Sequence, residues 1–169
     1  MENYCIGTLE HVDRESHAEL PSIAEQLATR RRSSGVTPLF ALLEYAHSLD
    51  IPDEIFEHPS IKEIERIGTD LVVFQNDIIS YCKEEAEGVN HNLVAIFRIN
   101  GMPAQQAFEA VNALLRKCYR DWYLALADLP QWGEKIDAQV QKYIQGVQDV
   151  VLANLNWRCV ISFHISMCT

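Results

Sequence analysis

The chain has 169 residues, 48% apolar and 22% charged, with a formal charge of −10. That size can bury the core of one domain, and the composition excludes a disordered polypeptide. The negative balance argues against a nucleic-acid partner, and no apolar run is long enough to span a bilayer. Five cysteines without paired or zinc-type spacing suit reduced thiols in a cytoplasmic protein.

No stretch alternates with period two for long enough to suggest a sheet, whereas a 3.6-residue period recurs along most of the chain. The fold class is therefore all-α. A first helix is predicted over residues 2–18, ending before Pro21. A second runs from Pro21 into Arg30-Arg31-Arg32 and stops near Gly35. Pro38 suits the first turn of a third, which carries Phe40, Leu43 and Ala46 toward Leu49. Pro52 and Pro59 bracket a short helical turn.

The central helix is expected to start with a capping box, Ser60 followed by Glu63, and to reach Gly88. One face carries Ile64, Ile67, Leu71, Phe74 and Ile78; the other carries Thr69, Val72 and Val73, then Asn76, Ser80, Lys83 and Glu84. A helix apolar on both faces along its middle is a buried one. Polar groups gathering only at its C-terminal end suggest a helix lining an apolar cavity with a charged mouth. After a short segment at residues 92–99, two long helices follow, with stripes Phe108, Val111, Leu115, Trp122, Leu126 and Ile136, Val140, Ile144, Val147, Val151.

Asn76, Ser80 and Glu84 stand at i, i+4 and i+8, so an amide oxygen, a hydroxyl and a carboxylate share one helical face. Hard cations such as Mg²⁺ favour such oxygens and complete their shell with water and substrate phosphate. A solvated polar patch would use the same residue types, but an otherwise apolar helix is a poor setting for one. Asp77 lies about 100° around the helix from Asn76, outside that row.

The motif N-D-x-x-S-x-x-x-E formed by Asn76, Asp77, Ser80 and Glu84 resembles the second metal-binding motif of class I terpene synthases. Leu20-Pro21-Ser22, Arg30-Arg31-Arg32-Ser33-Ser34-Gly35, Leu43-Glu44-Tyr45-Ala46, Asn90-His91-Asn92 and Asn154-Leu155-Asn156-Trp157 follow the same order and spacing as in fungal sesquiterpene synthases of the basidiomycete type. The resemblance covers the C-terminal half of that family. It implies the C-terminal part of a class I terpenoid synthase helical bundle over residues 1–157, followed by a divergent tail at 158–169 that lacks the family's Arg-Tyr pair. It also implies a lyase that ionises and cyclises farnesyl diphosphate with Mg²⁺ to a sesquiterpene.

Residue by residue, the resemblance makes Asn76, Ser80 and Glu84 ligands of one Mg²⁺ and gives Lys83 a diphosphate contact. Arg31, about 45 residues before Asn76, matches the diphosphate-sensing arginine, with Ser34 as linker and Gly35 as the glycine at the helix break. Phe74 and Trp122 are candidates to face a cation, although both also sit on ordinary core stripes. The family's aspartate-rich motif has no counterpart in this chain, so a truncated form is expected. Two further readings stay open: an inactive helical module that pairs with another copy or a complementary N-terminal half, and an unrelated helical bundle.

Overall fold

The computed structural model describes residues 5, 6, 8, 9 and 22–166, with side chains to residue 157. The helix expected over residues 2–18 falls outside the described residues except at 5, 6, 8 and 9, which are helical. Seven helices follow: α1 (Ile23–Ser33), α2 (Val36–His47), α3 (Asp53–Phe56), α4 (Pro59–Ala86), α5 (Leu93–Ile99), α6 (Ala104–Ala127) and α7 (Glu134–Ser166). No strand occurs among the described residues, as the periodicity implies.

Local chemistry sets the helix ends. Ser22 caps α1 through a capping box with Glu25, satisfying two amides that have no intrahelical partner. Between α1 and α2 the chain reverses at Gly35, whose φ of 73° is left-handed and costly for any residue with a Cβ. The capping box expected at Ser60 does not form. Pro59 occupies the first helical turn and His58 is the cap, its Nδ1 accepting from Ser60 N at 3.2 Å. Proline's fixed φ and missing N–H favour that first turn, so the cap and the start of α4 lie two residues earlier than expected. Ser60 Oγ instead donates to the Asp128 carbonyl, and Glu63 accepts from Arg66.

Helix α4 runs through the middle and packs chiefly against α6 and α7. Ile61, Ile64, Ile67, Val73 and Phe74 are all at most 2% exposed, so the middle of α4 is enclosed on every side. Each such side chain contributes about 1.5–3 kcal/mol of burial. Val111 and Trp122 of α6, and Val140, Ile144, Val147 and Val151 of α7, complete this core. Gly68 lets α7 and α2 close on α4: a Cβ there would stand 2.7 Å from Val147 Cγ1 and 3.1 Å from Phe40 Cζ. Phe56 meets Tyr143 edge to face at 5.1 Å, fastening α3 to α7.

Candidate active site

Toward its C-terminal end α4 leaves the core, and Asn76, the first residue of its polar row, lines a cavity of about 490 Å³, with Ser80 and Glu84 further along the helix outside the lining. Val72, Val73 and Asn76 form one wall, Arg30 of α1 and its C-cap Ser34 a second, Val150, Asn154 and Trp157 of α7 a third. The space is within the usual range for a small-molecule site, and its lining mixes valines with a few polar groups. Leu39 and Trp157 at the rim are 46% and 67% exposed, so the mouth is open.

The three oxygens foreseen on α4 occupy the same stretch of helix. Ser80 Oγ donates to the Asn76 carbonyl at 2.7 Å and lies 3.3 Å from Asn76 Oδ1. Adjacent oxygens around an octahedral Mg²⁺ sit about 3 Å apart, given bonds of about 2.1 Å. The Asn76–Ser80 pair therefore fits one hard cation with little adjustment. Glu84 is half-buried one turn further on, and its Oε2 accepts from Asn92 Nδ2 at 2.9 Å. The donors along this stretch are an amide, a hydroxyl and a carboxylate oxygen, and among the described residues no group of three or more His, Cys, Asp or Glu could hold a metal. Lys83 is exposed at the end of this row, with Glu87 3.8 Å away.

The arginines divide. Arg31, the guanidinium singled out by sequence, is not on the cavity wall. Its Nε and Nη2 donate to Asp70 at 2.6 and 2.8 Å in a bidentate pair, and Asp70 also accepts from Arg66 Nη1 at 2.6 Å. Its neighbour Arg30, about 100° around α1, lines the cavity and donates to the fully buried Asp77. Asp77 Oδ2 also accepts from Leu93 N at 2.8 Å. Burial pushes the Asp77 carboxyl up, opposed by the Arg30 charge and the Leu93 amide. Gly35 forms the break between α1 and α2 without entering the wall, where Ser34 stands instead.

Two polar atoms of the cavity-lining residues are buried without a partner among the described residues: Arg30 Nε and Asn154 Nδ2. Both are donors, one on α1 and one on α7. Unmet buried donors are costly, so these two side chains keep unused hydrogen-bonding capacity beside the cavity.

Phe74 and Trp122, the aromatics suggested for facing a cation, are 2% and 5% exposed core residues outside the cavity wall. The aromatic in the wall is Trp157. Sequence reading passed over it as a site residue, although it ends the Asn-Leu-Asn-Trp segment; Arg30 and Asn154 were passed over likewise. The available signal was Asn154 three residues before Trp157, a spacing that puts both on one face of α7.

Residues 1–121 match the family model described as "Terpene synthase family 2, C-terminal metal binding". The chain is 41% identical over 154 residues to "Terpene cyclase 4" of Gibberella fujikuroi, covering 91% of this chain and 42% of that protein. It is 41% identical over 157 residues to "Silphinene synthase peniA" of Penicillium patulum, with 93% and 42% covered. It thus spans about two-fifths of the length of these curated relatives. The crystal structure of α-eudesmol synthase superposes with a TM-score of 0.83 at 21% identity, over 94% of this chain and 53% of that one, which carries the fold alone. A helical bundle with an oxygen-donor row beside an apolar cavity, and a family match over most of the chain, lead to one assignment: this chain belongs to terpene synthase family 2, over its C-terminal metal-binding region.

Proposed function

We propose that the chain carries the metal- and diphosphate-binding part of a sesquiterpene synthase that ionises farnesyl diphosphate and cyclises the allylic cation. The observation behind this reading is the composition of one cavity. Asn76 stands on one wall, with Ser80 Oγ 3.3 Å from its side-chain oxygen, and the Arg30 guanidinium and Asn154 amide stand on the others. An ionised diphosphate is an acceptor-rich anion that suits such donors, and the valines and Trp157 suit an isoprenoid chain.

Asn76, Ser80 and Glu84 would hold one Mg²⁺, which supplies positive charge as the diphosphate departs. Arg30, fixed by Asp77, would orient that leaving group and stabilise the charge developing on it. Arg31 acts one step back: clamped to Asp70, it holds the α1 end and the Gly35 break that carry Arg30 and Ser34. Lys83 meets the diphosphate from the solvent side. Val72, Val73 and Val150 exclude water that would quench the cation, and the Trp157 ring offers it a π-face.

The test is incubation of the purified chain with farnesyl diphosphate and Mg²⁺, followed by gas chromatography–mass spectrometry of the headspace. Cyclic hydrocarbons that disappear with EDTA and in Asn76→Ala are the expected result. In parallel, Arg30→Lys lowers affinity for inorganic diphosphate in the presence of Mg²⁺ by about tenfold or more, since a point charge cannot reproduce a fork of donors. A folded sample that yields no Mg²⁺-dependent hydrocarbon, and binds diphosphate equally well with Asn76 or Arg30 replaced, overturns the reading.

A further inference from the structure

The segment Asn90-His91-Asn92 lies between α4 and α5, away from the cavity wall, yet it is tied to both helices that bear the site. Asn92 is fully buried, and every bonding position of its amide is taken. Oδ1 accepts from Val94 N at 2.8 Å and Ala95 N at 3.4 Å, capping α5. The two hydrogens of Nδ2 go to the Asp77 carbonyl at 2.8 Å and to Glu84 Oε2 at 2.9 Å. Backbone amides can only donate, so the oxygen must face α5 and the nitrogen must face Glu84. The amide has one workable orientation.

His91, beside it, makes the second tie. The Gln26 amide meets its Nδ1 at 3.1 Å and Ser33 Oγ meets its Nε2 at 3.0 Å, both from α1. The Gln26 N–H donates to Nδ1, so Nε2 carries the ring proton and donates to Ser33. Asp77 closes the circuit, joining Arg30 of α1 to the start of α5 through the Leu93 amide. One loop therefore links the helix carrying Arg30 to the carboxylate of Glu84.

Glu84 needs such support. It lies in the last turn of α4, two residues before the helix ends, where backbone bonds fray and a three-torsion side chain has most freedom. Asn92 holds one carboxylate oxygen and leaves Oε1 for a cation.

We propose that Asn92 is a positioning residue for Glu84, fixing the third oxygen donor in register with Asn76 and Ser80 and in one frame with Arg30. The proposal rests on the metal-site reading above. Capping of α5 alone would be a purely structural role, and the two are separable because different atoms of Asn92 perform them. In Asn92→Ser a hydroxyl still caps α5 but is too short to reach Glu84.

The experiment is a Mn²⁺ titration of the full chain followed by electron paramagnetic resonance, with and without inorganic diphosphate, on wild type, Asn92→Ser, Glu84→Gln and the double variant. Asn92→Ser weakens Mn²⁺ binding about tenfold or more, the usual effect of removing a group that orients a ligand. In the Glu84→Gln background it adds less than about twofold, because the residue through which it acts is already changed. Glu84→Asp gives a second route with Asn92 intact: the shortened carboxylate withdraws from the amide and binding falls similarly. Wild-type affinity in Asn92→Ser, or an equal loss with and without Glu84, overturns the proposal while leaving the metal site standing. Mn²⁺ binding that ignores Glu84→Gln overturns the metal-site reading itself, and this inference with it.

Discussion

The two halves of α4 place similar residues in opposite circumstances. In the N-terminal half, Asp70 is 2% exposed and accepts from both Arg31 and Arg66, so its charge is met entirely within the fold. In the C-terminal half, Asp77 is equally buried, but its partner Arg30 keeps an unpartnered Nε and lines the cavity. One ion pair closes on itself, whereas the arginine of the other borders the cavity. A buried charge pair fixes position more reliably than it adds stability. Adjacent arginines on α1 thus do different work because a 100° rotation sends one to each half.

On this division, changes in the closed half are expected to cost stability first, and changes at Asn76, Glu84 and Asn92 to cost binding first. The largest effect is expected from Asp70→Asn, which leaves two guanidiniums facing a neutral amide. Unfolding by urea should show a loss of about 3 kcal/mol, at the low end of the range for breaking a buried pair because both arginines are a third exposed. Next is Gly68→Ala, where the new methyl meets Val147 and Phe40 in a helix contact with no room to spare. A loss of about 1–3 kcal/mol by the same measurement is expected, with diphosphate binding affected only through the folded fraction.

The smallest effect concerns pH. Glu65, also in the closed half, accepts from the Tyr143 hydroxyl, and burial raises its carboxyl above the ordinary 4.5 while that hydrogen bond partly offsets the shift. The folded chain therefore holds a proton that the unfolded chain has already lost. Stability contributed by this group is greatest below pH 4.5 and falls as the pH rises toward its folded value. Glu65→Gln, which can still accept from Tyr143, should flatten that part of a Tm-against-pH curve and raise Tm modestly at neutral pH. The gain should be smaller than either loss above.

What was legible in the sequence was local. The α4 stripe, the breaks at Gly35 and Pro59, and the Asn76–Ser80–Glu84 row all follow from 3.6-residue geometry and a few stiff or permissive residues. The start of α4 lies two residues before the expected one because Ser60 as cap and Pro59 in the first turn compete, and only the His58 side chain shows which prevails. The Ser22–Glu25 box had the same form as the one expected at Ser60, and nothing in the pattern alone ranks the two.

Arg31 and Arg30 could not be told apart in that way. Their partners lie 39 and 47 residues away, and spacing within α1 says nothing of which carboxylate each will meet. Likewise, Trp157 and Asn154 become wall residues only when α7 crosses the end of α4. Asn92 becomes a support for Glu84 only when the loop folds back on its own helix. The sequence by itself determined which residues share a face and which chemistry that face offers, because helical periodicity is a property of the local backbone. Tertiary structure decided which carboxylate each arginine meets and which of them borders the cavity, because that depends on distances between segments far apart in the chain.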